Sequence, residues 1–541
     1  MKKRTIFFFL ALLCLVGSGI YLYGERVAHP DSHQSGPSGS DAAFPGSSGE
    51  PAPVVIYGEI RDYDPVEKMQ VKFSPILFRP GSPNPKPIRF DLDTHPGNFF
   101  TNSQPGVDRL FELIIEDVER PGHIDISSGY NEFLNSYLVR PGDSVMIRID
   151  KLTNSMVFSG PSADLFKCQY DLEQIRIQQE FSQPQIFNFQ KVGVLNEKQQ
   201  NMLDEARKSF GRQPIVHLTM TDMVNSIEKK ASELMDRHYL GILDYYGDKI
   251  DRQTYQILKA NYLSFERERI ARRLAFAWKQ VSKLEDMESV KDRIEHIFTK
   301  YVQGYLMLEA ENPERKNSYQ YIRMQMAVIE IGELLEGKSF FELADSQLSP
   351  ELRDRVVAGH LLDRRLQSSE ALLDGLDLIE DPVIWDILND MYERVGTGKL
   401  AVDFRLPNDK GDTIALSDLR GKVVLVDYWF TGCSACISLN SNILRPLAEE
   451  FSERSDYAMV SISIDRDHSL WKKSLASGKY SPPGAIHLNT GTEEVKNDLL
   501  QKYNISGFPH VMLIDKEGRI VNPGYQKLIY EQLKMDVTGL F

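Results

Sequence analysis

The stretch Lys422–Cys436 reads KVVLVDYWFTGCSAC. Its first half is a run of Val and Leu broken only by Asp427, the pattern of a buried strand. It runs into Cys433 and Cys436, two of only four cysteines in the chain. If the strand hands over to a helix at Cys433, unpaired backbone N–H groups and the positive end of the helix dipole face that sulfur. Such a setting lowers a thiol pKa, and the thiolate is the reactive species. Cys436, one helical turn on, can reach back to close a disulfide. A redox pair is therefore the favoured reading. Two alternatives stay open. A zinc site needs further ligands, yet there is no second CxxC, and His468, His487 and His510 form no ligand spacing. A structural disulfide here would close a very short loop and constrain the unfolded chain little.

Around this stretch, from residue 396 to 541, the pattern is α/β. KVVLVDYW, YAMVSISI and HVMLI read as strands. Ile437–Glu453, His468–Ser477 and Glu493–Lys502 read as the helices between them. A turn at Lys516–Gly518, a short strand RIV and a helix over Tyr525–Lys534 complete a small mixed sheet covered by helices.

In these residues the chain resembles the thioredoxin superfamily, specifically the exported TlpA/ResA-like thiol-disulfide oxidoreductases. The likeness rests on FRLPNDKGDTIALSDLRGKVVLVDYWFTGCSAC and on ISGFPHVMLIDKEGRI. It implies that Cys433 is the exposed nucleophile and Cys436 the resolving cysteine. It puts a cis-proline at Pro509, facing the disulfide with Phe508 beside it at a substrate-docking edge. It makes Asp427 a buried acid able to relay a proton to the resolving thiol, and Trp429 an aromatic near the site, although core packing accounts for Trp429 equally well. The chain departs from thioredoxin in having Gly432 where a Trp precedes the first cysteine. It also carries Ser434-Ala435 between the cysteines, delays a helix proline to Pro446, and has a longer insertion before SGFPH. His510, after the proline, reads as a strand-start residue.

The other regions carry no catalytic constellation. Residues 1–24 open with Lys2, Lys3 and Arg4 before an apolar run from Ile6 to Tyr23, the layout of a signal peptide or membrane anchor. Cys14 follows Leu13, which does not fit a lipobox, so it reads as an apolar residue of the signal core. Residues 25–53, with HPDSHQSGPSGSDAAFPGSSGEPAP, form a flexible linker. Residues 54–160 hold short alternating runs separated by Pro-Gly turns, which predicts an antiparallel β-sandwich. Residues 161–395 carry helical spacing, as in Val224, Ile227, Ala231 and Leu234, and predict an all-α region. Cys168 is a lone thiol there.

A net charge of -14 disfavours a nucleic-acid partner, which needs a basic face. The expectation is thus an extracytoplasmic, periplasmic protein, tethered to the inner membrane or cleaved from it. A β-sandwich, a helical region and a thioredoxin-like domain follow one another. It exchanges disulfides with protein substrates, takes electrons from a membrane donor protein, and uses no metal or cofactor. The alternative is a binding or scaffold protein whose N-terminal regions hold a partner while the redox domain is secondary.

Overall fold

The computed structural model describes residues 51–541 except 79, 81–86, 100–107, 130, 190–194, 235, 364–368, 506 and 526–527. The expected leader at 1–24 and nearly all of the linker at 25–53 lie outside the described residues. Among the described residues no helix is long and apolar enough to cross a membrane.

The N-terminal region is strand-rich. Its strands are β1 (Ala52–Arg61), β2 (Lys68–Ser74), β3 (Ile88–Asp93), β4 (His95–Pro96), β5 (Asp108–Val118), β6 (Gly122–Ser128), β7 (Asn131–Val139), β8 (Ser144–Asp150) and β9 (Ser155–Ser159). They form a 5-stranded sheet, β4-β5-β1-β8-β9, and a 4-stranded sheet, β3-β2-β6-β7. Alternating residues such as Ile56, Ile60, Val71, Phe73, Ile124, Ile126, Val145 and Ile147 are buried in one apolar cluster shared by both sheets. The expectation of an antiparallel arrangement is corrected at one place: β1 runs parallel to β8, with Val55 opposite Ser144 and Arg61 opposite Asp150. The two strands lie so close at Gly58 that a Cβ there would run into the Ile147 carbonyl.

The central region is helical. Its helices are α1 (Ala163–Ser182), α2 (Glu197–Phe210), α3 (Met220–Ser232), α4 (Arg237–Tyr246), α5 (Arg252–Val281), α6 (Glu288–Ile297), α7 (Tyr319–Glu336), α8 (Phe340–Gln347), α9 (Pro350–Asp363), α10 (Ser369–Leu378) and α11 (Pro382–Val395). It is not purely helical, which corrects the all-α expectation. A parallel pair, β10 (Ile186–Asn188) and β11 (Ile215–His217), is inserted near α2. Each strand follows a Gln-Pro pair and is only 3 residues long, too short to show a period. Arg140, in the turn before β8, pairs with Asp143 and with Asp251, the N-cap of α5, and so joins the strand-rich and helical regions.

The C-terminal region begins with a hairpin of β12 (Arg405–Pro407) and β13 (Thr413–Ala415). It continues through β14 (Val423–Trp429), α12 (Ser434–Leu439), α13 (Arg445–Glu450), β15 (Tyr457–Ser463), α14 (His468–Ala476), β16 (Ile486–Asn489), α15 (Glu493–Lys502), β17 (His510–Ile514), β18 (Ile520–Asn522) and α16 (Tyr530–Thr538). The sheet order is β16-β15-β14-β17-β18. β14 is central, parallel to β15 and antiparallel to β17. Every one of its residues is buried, which explains the continuous apolar run. Val423 and Leu425 pack with Leu444, Leu447, Leu533 and Val537 on one face. Val424, Val426 and Tyr428 face the other way, into a core that includes Leu499 of α15 and Tyr503, its C-cap, and continues to Leu388, Met391 and Val395 of α11.

Candidate active site

The chain leaves the sheet at Phe430 and turns over Thr431 and Gly432. The Cys433 N–H closes this turn on the Phe430 carbonyl at 3.2 Å. Gly432 has φ +98°, and a Cβ there would meet nothing within 4 Å. Glycine is thus required by backbone conformation rather than by space. Cys433 is the N-cap of α12, and its Sγ accepts the Cys436 N–H at 3.1 Å. The two cysteines form a disulfide, with Cα atoms 5.3 Å apart. The sulfur expected to be exposed is covered: Cys433 is 7% exposed and Cys436 2%. The cover comes from Trp429, Trp471 and Tyr480, which pack with both cysteines, and from Phe508, which packs against that cluster. Beyond α12 a π-helical turn, Asn440–Leu444, leads into α13. Pro446, which has no N–H to give to the preceding turn, is the second residue of α13.

Asp427 is 2% exposed. By strand alternation it shares a face with Leu425 and Trp429, the face on which Leu439, Leu444 and Leu447 of the active-site helical segment pack. It stands opposite Ser461 on β15 and Val511 on β17. Its Oδ1 has no hydrogen-bond partner among the described residues. Burial pushes its pKa up to about 8. A carboxyl so placed is mostly protonated at neutral pH and can exchange that proton in the working range.

Trp429 is fully buried. Its Nε1 donates to Ser461 Oγ at 2.8 Å, and its ring stacks on Tyr480 at 4.9 Å. The Phe508–Pro509 peptide is cis. Phe508 meets Phe430 edge-to-face at 5.5 Å. His510 opens β17 opposite Tyr428 and is buried; the same register carried one step further brings Pro509 level with Trp429. Cys433, Cys436, Trp429 and Phe508 are therefore gathered in one cluster, with Asp427 on β14 and Pro509 just ahead of β17.

Thr431, Asp465, Trp471, Ser474 and Tyr480 also belong to this site, and sequence reasoning passed over them. The available signal was Trp471, one of only 4 tryptophans in the chain, inside the long insertion. Among the described residues no group of three or more His, Cys, Asp or Glu side chains is arranged to hold a metal ion.

Residues 421–520 match the model of a family described as Thioredoxin-like. The C-terminal region is thioredoxin-like. Over 147 residues, 27% of this chain and 78% of the relative, the sequence is 26% identical to the thiol-disulfide oxidoreductase ResA of Bacillus cereus. A solved thioredoxin domain of a Bacteroides vulgatus thiol-disulfide oxidoreductase is 31% identical, with 26% of this chain and 96% of that one covered and a TM-score of 0.24. A thiol:disulfide interchange protein from a Bacteroides species is 31% identical, covering 27% of this chain and 90% of its own, with a TM-score of 0.23. The thioredoxin-like region is thus similar to proteins named for disulfide exchange, and its cysteines have the CxxC spacing.

Proposed function

We propose that the chain is an extracytoplasmic thiol-disulfide oxidoreductase that reduces protein disulfides through Cys433 and Cys436. The observation that carries this reading is a CxxC pair at a helix start, delivered by a strand that buries Asp427 with its Oδ1 unpartnered. In the reduced protein the Cys433 thiolate attacks one sulfur of a substrate disulfide. A mixed disulfide forms and the other substrate sulfur leaves as a thiolate. Asp427, in its ionised form, takes the proton from Cys436. The Cys436 thiolate then attacks Cys433 Sγ, the protein disulfide closes, and the second substrate thiolate departs. The substrate gains two electrons and the protein dithiol loses them. Phe508 and Pro509 border the place where the substrate strand docks, while the Trp429 ring, fully buried, packs in the cluster around the disulfide. A dithiol donor must restore Cys433 and Cys436 after each turnover, and a membrane protein is the donor proposed here.

The proposed division is a leader or anchor at 1–24, a linker at 25–53, a β-sandwich at 54–160, a helical domain at 161–395 and the redox domain at 396–541. The shared apolar cluster between the two N-terminal sheets supports the sandwich. Protease treatment of intact spheroplasts tests export: a fully protected C-terminal region contradicts it.

The deciding experiment is insulin reduction by the full chain, with Cys433→Ser as control. Turnover that vanishes in the variant supports the reading. No turnover by the parent, under conditions where its two thiols are reduced, favours the second reading. In that reading the strand-rich and helical regions, most of the chain, bind a partner and the redox domain is secondary. Iodoacetamide should also label Cys433 faster than Cys436, since Cys433 is the more exposed of the two.

A further inference from the structure

The backbone between β14 and α12 has left the sheet, so its amide hydrogens must find partners elsewhere. The Thr431 N–H donates to the Asp465 carboxylate, at 3.0 Å to Oδ1 and 3.2 Å to Oδ2. The Thr431 hydroxyl donates to Asp465 Oδ2 at 2.6 Å and lies 2.7 Å from the Ser474 hydroxyl. Oδ2 also accepts the Ser463 hydroxyl at 3.0 Å. The Gly432 N–H donates to the Tyr480 hydroxyl at 2.9 Å. Every one of these partners lies at the end of β15 or in the crossover that follows it; none comes from β14 or α12. The crossover is itself anchored. Asn489 of β16 donates to the Asp465 carbonyl at 2.9 Å, and the Tyr480 ring is fixed by its stack on Trp429.

We infer that Asp465 and Tyr480 are positioning residues for Cys433. They hold the Thr431–Gly432 turn from outside and so keep the sulfur against the Cys436 N–H. This rests on the redox reading above and deepens it. Gly432 has no side chain to brace the turn, so its amide is the handle by which it is held. The Cys436 N–H stabilises sulfur most when sulfur is a thiolate. Loosening the turn therefore destabilises the dithiol form relative to the disulfide and makes the protein a stronger reductant.

The test is the equilibrium of the full chain with glutathione buffers, read as the ratio of Cys433–Cys436 disulfide to dithiol, with thermal melting alongside. Tyr480→Phe keeps the ring on Trp429 and removes the acceptor for Gly432. Thr431→Val removes the hydroxyl that Asp465 holds, and Thr431→Ser restores it. Tyr480→Phe and Thr431→Val should each shift the equilibrium about three- to tenfold toward disulfide, the size of one net hydrogen bond. Thr431→Ser should stay within about twofold of the parent. The inference is overturned if Tyr480→Phe and Thr431→Val lower the melting temperature while the equilibrium of the folded chain stays unmoved, or if Thr431→Ser behaves like Thr431→Val. A parent that forms no Cys433–Cys436 disulfide in any glutathione buffer overturns the redox reading itself. A normal parent with unmoved variants overturns only the positioning role.

Discussion

Buried charge is treated in opposite ways by the helical and thioredoxin-like regions. In the helical region Glu268 is 6% exposed. It accepts hydrogen bonds from Arg272 at 2.6 Å, Arg323 at 2.8 Å and Gln320 at 3.3 Å. Burial pushes its carboxyl pKa up, but Arg323 and Arg272 together outweigh that and leave it below the ordinary value. In the thioredoxin-like region Asp427 is as deeply buried, has no such arginines, and is pushed up to about 8 by burial. A carboxylate supplied with every partner it needs holds helices together. A carboxyl left with an unpartnered oxygen in an otherwise apolar strand lowers stability at neutral pH, which fits the proton-transfer role proposed for it.

The contrast can be broken from either side. Glu268→Ala removes the carboxylate shared by Arg323 and Arg272, although Glu330 stays beside Arg272, and should cost about 2 kcal/mol in urea unfolding, less than for a fully desolvated pair because both arginines are partly solvated. Disulfide exchange per folded molecule should not change. If exchange collapses with stability intact, Glu268 is more than architecture.

Asp427→Asn should do the reverse, slowing exchange about ten- to hundredfold near neutral pH and flattening its pH profile. The folded chain holds the Asp427 proton more tightly than the unfolded one. This carboxyl therefore withdraws stability as pH rises from 3.8 towards about 8. The Asn variant should gain on the parent across that window, by at most about 1.4 kcal/mol per pH unit, and gain nothing further above it. Urea midpoints at several pH values decide this; a stability difference independent of pH would mean that Asp427 is not protonated by the fold.

Phe508→Ala removes an aromatic wall beside the disulfide and should raise KM for a protein disulfide by about fivefold, the scale of one interface aromatic. Iodoacetamide labelling of Cys433 should quicken, because Phe508 is part of the cover over that sulfur. The smallest effect is expected at Cys168, fully buried in α1. Burial, with Asp171 and Asp164 adding to it, pushes its thiol up to about 12. It should stay unlabelled in the native chain, and Cys168→Ala should alter exchange by less than about twofold.

Much of the site was legible from local pattern. The continuous apolar run marked β14, the paired cysteines marked the start of α12, and Asp427 stood out as a charge inside that run. The cover that Trp471 and Tyr480 put over Cys433 was not legible, because their crossover meets the cysteines only through the sheet register; of the cover, Phe508 and Trp429 were placed by the resemblance. The partners of Thr431 were hidden for the same reason. The parallel pairing of β1 with β8 escaped because side-chain alternation is the same in parallel and antiparallel strands. β10 and β11 escaped because so few residues show no period.

That parallel pairing has a consequence in time. β1 lies between β5 and β8 in its sheet, yet β5 begins at Asp108 and β8 at Ser144. During synthesis β1 is made long before either neighbour, and its second edge stays unpaired until β8, ending at Asp150, has followed. Long-range pairing of this kind slows folding and leaves a sticky edge in the interval. Ala52–Arg61 therefore depends for both of its edges on strands made much later.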